Sequence, residues 1–257
     1  MAGLANSDMD SQKTLSEKPG VFAIQRSSER YCSDHGWLKT CHSFSFAEYY
    51  DPRNLNWGAL RVLNDDTIGP SSGFPTHPHR DMEILTYVLS GQLEHKDSMD
   101  NEGIVKAGGV QYMSAGTGVR HSESNPSADT PLHLVQMWVL PGRKGAKPSY
   151  GQVDFEESQR HNKWLLVASG IAGDSAPVTL TQNASFSVAH LDNGVLERPF
   201  ENGRLGFLFV ADGSVAANGS RLDAGDAVRM SGVPSLSLSG SGEVLLWDVP
   251  PTVDVPI

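Results

Sequence analysis

Short runs of β-branched and aromatic residues, each cut off within a few positions by a turn former, set the tightest limit on what this chain can fold into. Ile84 to Leu89, Leu132 to Val139, Trp164 to Val167, Phe186 to Val188, Leu205 to Val210 and Val244 to Trp247 are such runs. Between them stand Ser90-Gly91, Gly108-Gly109, Asn193-Gly194, Asp212-Gly213, Asn218-Gly219 and Gly225-Asp226. Runs this short suit strands better than helices, and Gly or Asn supplies the positive φ that tight hairpins need. Many short strands at close spacing predict an all-β sandwich or barrel. Only Asp154 to Lys163 and a turn around Phe46 to Tyr50 carry a helix-like pattern.

With 257 residues the chain has room for two domains. Gly91-Gln92-Leu93 and Gly108-Gly109-Val110 precede strands in the first half; Asp212-Gly213-Ser214-Val215 and Ala224-Gly225-Asp226-Ala227-Val228 do the same in the second. Turn chemistry that repeats without shared polar residues points to two copies of one β fold. The polar, basic, proline-containing stretch Arg143 to Tyr150 reads as the crossing between them. The expected division is a flexible tail over 1–19, a first domain over 20–145 and a second over 146–257.

Charge removes some functions. Thirty acidic residues against twenty basic give −10, and neither half is basic: 14 basic and 17 acidic residues up to Tyr150, 6 and 13 after it. That argues against nucleic acid held by phosphate contacts. No apolar run reaches the ~18 residues of a membrane span. The first twenty residues lack the apolar stretch of a secretory signal, so a cytoplasmic location is expected. Cys32 and Cys41, nine apart, fit no zinc or redox spacing and read as two reduced thiols.

The residues able to carry chemistry are histidines. His77-Pro78-His79 sits just ahead of a predicted strand, and His121-Ser122-Glu123 follows the glycine-punctuated turn Ala115-Gly116-Thr117-Gly118. In an extended segment side chains at i and i+2 share a face, so each pair offers two donors to one side of a sheet. If the two segments lie on facing or neighbouring strands, three imidazoles and a carboxylate converge. Such a set suits iron, manganese, cobalt, nickel, copper or zinc, and four protein ligands would leave an octahedral ion two open positions. With nine histidines in the chain, one His-x-His pair by itself is weak evidence.

Longer runs carry a resemblance. Cys41-His42-Ser43-Phe44-Ser45-Phe46, Tyr50-Asp51-Pro52-Arg53, Gly58 to Asn64 and Phe74 to Glu83 resemble the pirin family. So do Tyr87 to Gly91, His95-Lys96-Asp97-Ser98 and Met113 to Glu123, and the likeness runs from about Val21 to Pro141. The second half more loosely resembles the metal-free second cupin of bacterial pirin-like quercetinases; it has only His161 and His190, with no His-x-His pair. The resemblance implies a bicupin, two β-barrels in tandem, with a metal in the mouth of the first and a degenerate second domain without metal.

The general cupin pattern places His-x-His, a Glu four residues on and a later His on the metal, which here means His77, His79, Glu83 and His121. Pirins take the fourth ligand from the position matching Glu123. The expected ligands are therefore His77, His79, His121 and Glu123, with Glu83 facing away or supporting the site from behind. The implied activity is quercetin 2,3-dioxygenase-like: Fe(II), or Mn, Co, Ni, Cu or Zn, opens a flavonol ring with dioxygen and releases carbon monoxide, with Glu123 as base. The physiological substrate could equally be another aromatic or enediol-like compound. The alternative reading is a redox-sensing regulatory protein that binds transcription factors or metabolic enzymes; a purely structural cupin fits the second half better than the first. His42 and His95 read as structural hydrogen bonders, His133 as a core imidazole, and Arg80 or Asp81 as an orienter of a ligating imidazole or a surface ion pair. Trp57, Trp138, Trp164 and Trp247 read as core or rim packing.

Overall fold

The computed structural model describes residues 20–251, and the expected tail over 1–19 lies outside them. Among the described residues there is no α-helix, and strands account for nearly all regular structure. A seven-stranded antiparallel sheet runs in the order Tyr31–Asp34, Leu38–His42, Leu60–Ile68, Leu132–Val139, Glu83–Ser90, Val110–Ser114 and Ser149–Val153. A four-stranded sheet, Gly73–His79, Val119–Ser124, Gln92–Asp97 and Glu102–Lys106, completes the first domain. The second domain is one eight-stranded sheet built around the long strands Ser185–Pro199, Leu205–Ala217 and Ser235–Val249.

These long strands bend at bulges. The register slips between Leu191 and Gly194 and between Val210 and Asp212. Gly213 and Gly242 have positive φ, and a Cβ on either would meet backbone oxygen at 2.4 and 2.2 Å. Only glycine fits where the two backbones close on each other, so the turn formers seen in the sequence serve here as bends inside continuous strands.

Two strands do not respect the division at 145/146. Val21–Gln25 pairs with Ala227–Ser231 of the second sheet, and Ser149–Val153 pairs with Val110–Ser114 of the first. Each domain thus takes an edge strand from the other's stretch of chain. The largest apolar cluster lies between the domains rather than within either: Phe44, Leu63, Tyr87 and Met137 pack against Phe186, Phe207, Phe209 and Trp247. Phe44 and Phe207 rings are 5.2 Å apart, and the Trp247 indole N–H points at Met137 Sδ at 3.1 Å. Arg30 crosses the same junction, bridging to Asp65 at 3.2 Å with its guanidinium over Phe209. The tryptophans follow suit: Trp247 is fully buried, and Trp57 donates across the junction to Gly206 O at 2.9 Å.

Two sequence expectations are corrected and a third, the turn near Phe46, is met. Asp154 to Lys163 forms only the single 3-10 turn Glu157–Gln159. Gln159 Oε1 accepts from Glu156 N at 2.8 Å and starts the turn, but Glu157, Ser158 and Gln159 bury no apolar face that would propagate it. Phe46 to Tyr50 is a tight turn closed by Phe46 and Tyr49. Cys32 and Cys41 are joined in a disulfide, because the hairpin of Tyr31–Asp34 and Leu38–His42 sets them opposite each other, Cα to Cα 4.1 Å. A spacing that fits no metal knuckle is the spacing of a cross-strand pair.

Candidate metal centre

Gly73–His79 and Val119–Ser124 pair antiparallel, with His77 opposite His121 and His79 opposite Val119. Alternation then puts His77, His79 and His121 on one face of the four-stranded sheet. The turn before the second strand is set by Gly116, whose φ is +44° and whose missing Cβ leaves room for Ala146 O. One donor atom from each of the three imidazoles lies within 4.8 Å of the other two. Ring centroids are 4.4 to 4.9 Å apart.

His77 and His121 aim Nε2 at Nε2 across 3.0 Å. Two ligands about 2.1 Å from a shared ion stand that far apart when they subtend ~90°, as neighbours on an octahedron do. His77 Nδ1 donates to Pro75 O at 2.8 Å, which leaves its Nε2 as a lone-pair donor. A backbone carbonyl, rather than Arg80 or Asp81, therefore orients this imidazole. Arg80 is exposed, and Asp81 accepts from Gly145 N at 2.7 Å to anchor the interdomain crossing. Burial, helped by His77, lowers the His79 pKa to about 4. His121 falls much further for the same reasons, with both His77 and His79 contributing. Neutral imidazoles crowded together in this way fit a cation.

Glu123 lies two residues past His121, beyond a register slip, with a carboxylate oxygen within 4.8 Å of donor atoms of His121 and His95. It is 2% exposed. It faces a row of polar side chains that crosses the opposite sheet strand by strand: Tyr31, His42, Asn64, Gln136, Thr86, Gln111 and Gln152 are successive cross-strand partners. Gln136 Nε2 donates to Glu123 Oε2 at 2.8 Å, and the Thr86 hydroxyl donates to Oε1 at 3.4 Å. Gln111 Nε2 donates to the same Oε1. Burial still dominates and, in the metal-free protein, raises the Glu123 pKa to about 7 against these donors. Thr86, Gln111 and Gln136 are each a polar residue interrupting a mostly apolar strand. That is the one sequence signal that could have found Gln111, Thr86 and Gln136.

Glu83 stands elsewhere. Completely buried, it accepts from Tyr112 Oη at 2.8 Å, Thr181 N at 2.7 Å and Gln182 N at 3.0 Å. Its carboxylate ties the first barrel to a loop of the second and is not among the clustered metal donors. His42 Nδ1 donates to Asn64 Oδ1 at 2.7 Å, and the buried His95 meets Asp97 at 3.2 Å under the Tyr150 ring. His133 is not a core imidazole: it is half-buried, bridges to Asp65 at 2.7 Å and lines a cavity with Tyr87 and Glu243.

His77, His79 and Glu123 open on a cavity of about 360 Å³ walled by Tyr31, His42, Phe46, Phe74 and Trp138. Trp138 stands edge-on to both His79 and Phe46. Asp66 lines the floor; burial lifts its pKa to about 7 despite a hydrogen bond from Thr40, and its Oδ1 has no partner.

Two β-barrels in tandem, the first with convergent imidazoles in its mouth, define a bicupin with a candidate metal site. Comparison with known proteins narrows the class. Residues 25–139 match the Pirin family model and residues 166–249 the model described as quercetinase C-terminal cupin domain. The quercetin 2,3-dioxygenase of Escherichia coli K12 is 42% identical over 233 residues, covering 90% of this chain and all of that protein. A pirin-like protein of Caulobacter vibrioides is 43% identical over 219 residues, 84% of this chain and 94% of that one. The E. coli bacterial pirin YhhW, solved with nickel(II), superposes with a TM-score of 0.84 at 40% identity, covering 90% of this chain and all of that one. The chain belongs to the pirin family.

Proposed function

We propose that this protein is a metal-dependent dioxygenase of the quercetin 2,3-dioxygenase type, opening a flavonol ring with dioxygen and releasing carbon monoxide. The observation that carries the reading is the cluster of His77, His79 and His121 beside an aromatic-walled cavity, with the buried Glu123 carboxyl next to His121. His77, His79, His121 and Glu123 would hold one divalent ion, taken to be Fe(II), a donor set that also accepts the nickel found in the E. coli relative. When bound, the ion supplies a Lewis acid with open positions that lowers the pKa of a hydroxyl placed on it.

The chain does the rest. Phe46, Phe74 and Trp138 sandwich a planar aromatic substrate and exclude water from the cavity. Glu123 receives the proton of the flavonol 3-hydroxyl, acting as the general base beside the ion. Gln136 and Gln111 hold that carboxyl in place while it changes charge. Loss of the proton enriches the ring for reaction with dioxygen. The reading also takes the protein to act in the cytoplasm on a small molecule; the Cys32–Cys41 disulfide is the feature that fits this location worst.

Aerobic turnover of quercetin by protein loaded in turn with each divalent metal, following flavonol absorbance and carbon monoxide, tests the proposal. Metal-dependent release that disappears in His79→Ala is expected. Glu123→Gln should keep much of the metal and lose turnover. Metal binding with no turnover of any flavonol would sink the dioxygenase and favour the redox-sensing regulator.

A further inference from the structure

A second set of donors meets where the two domains join. Glu157 and His161 belong to the 3-10 turn and the residues just after it, and His190 to the strand Ser185–Pro199. One ligand atom from each lies within 4.8 Å of the other two. The backbone fixes this meeting. His190 N donates to Arg160 O at 2.9 Å and Asn162 N to His190 O at 2.7 Å, so His161 is held on both sides against His190. The amides of Arg160 and His161 both close on Glu157 O at 3.0 Å, which sets Glu157 over the same spot. The two imidazoles lie nearly parallel, 26° between planes.

The surrounding charges prepare His190 as a ligand. Its Nδ1 faces Glu243 Oε2 at 3.1 Å, which makes Nδ1 the N–H donor and leaves the lone pair on Nε2. A carboxylate behind an imidazole is the arrangement that orients metal-binding histidines. Glu243 is itself fixed by Arg160 Nε at 3.0 Å and by the Tyr87 hydroxyl. Its charge is thereby balanced, whereas the Glu157 carboxylate has no hydrogen bond or ion pair among the described residues. Glu157 and His190 open on an interdomain cavity of about 410 Å³, wide enough for a hydrated ion to reach them.

We propose that Glu157, His161 and His190 form a second site for a divalent transition-metal ion, zinc being the best match to two imidazoles and one carboxylate with water in the remaining position. This site is separate from the imidazoles of the first barrel and does not depend on what reaction they serve. It lies outside the second barrel's interior, so the lack of a His-x-His pair in that domain does not bear on it.

Equilibrium dialysis of the full chain against buffered Zn(II), with metal counted by mass spectrometry, tests it. Wild type should bind two ions per chain. His77→Ala/His79→Ala should retain one, and adding His161→Ala should remove it. Glu157→Gln in the same background should weaken the retained ion by about tenfold or more. His161 and Glu157 are exposed, so neither change threatens the fold. No ion retained in His77→Ala/His79→Ala, or a retained ion that survives His161→Ala, would overturn the assignment.

Discussion

Replacing Glu83 with glutamine separates the ligand role that the general cupin pattern would give this residue from the structural role its contacts give it. The carboxylate is wholly buried and accepts three hydrogen bonds, two of them from the main chain at Thr181 and Gln182. A glutamine can keep the two bonds to Oε1, from Tyr112 and Thr181. Its amide N–H₂ then stands where Oε2 accepted Gln182 N, so two donors face each other and a buried N–H loses its acceptor. A hydrogen bond to a charged group is worth about 1.5–3 kcal/mol, and a stranded buried donor costs about the same, so Glu83→Gln should lose about 2–4 kcal/mol. Urea unfolding of the chelated protein, followed by tryptophan fluorescence, reads that loss. Metal affinity, measured by competition with a chelator, should stay within about twofold, because removing a true ligand or its support typically costs ~10–100-fold. A variant of unchanged stability that binds metal tenfold more weakly or worse would put Glu83 on the ion and refute the argument.

In the chelated protein, Glu123 should make stability fall with rising pH. Its folded pKa, about 7, lies above the unfolded value, so the native state holds the extra proton between the ordinary carboxylate range and pH 7. That stability is full below the window and is lost through it, about 3 kcal/mol at ~1.4 kcal/mol per pH unit. Glu123→Gln mimics the neutral acid, and Gln111, whose Oε1 is unpartnered, can turn to accept from the new amide. The gap between the two proteins should therefore open from pH 5 to 8; a constant gap would contradict the burial argument. Gln136→Leu removes the strongest hydrogen bond holding the Glu123 carboxylate ionised, so the acidic limb of the pH–rate profile should move upward with the substrate-free metal still bound. Cys32→Ser/Cys41→Ser opens a loop of about ten residues and should cost roughly 2–3 kcal/mol in urea unfolding. Thiol titration of the unreduced, unfolded wild type should find no free thiol.

Local chemistry carried much of the fold into the sequence. The apolar runs are strands, and the i, i+2 spacing of His77 and His79 has the consequence that extended backbone requires. Other features needed partners that no local pattern names. Spacing alone offers both Glu83 and Glu123, and only the family resemblance favours Glu123; in the structure Glu83 is held by Tyr112, Thr181 and Gln182 away from the imidazoles, while Glu123 lies past the register slip after His121. The residues that cradle Glu123, Thr86, Gln111 and Gln136, are single polar interruptions of three separate strands, and their row exists only once strand register is set.

The sequence by itself determined which segments extend, where they turn and which histidines share a face, because φ preferences and strand alternation act over a few residues. Tertiary structure alone decided that strands 21–25 and 149–153 cross between domains, that Cys32 meets Cys41, that 154–163 stops after one turn, and which carboxylate lies beside the imidazoles. Those choices turn on burial and cross-strand pairing. The free energy of both comes from groups far apart in the chain, whose meeting is fixed only when the whole sheet has formed.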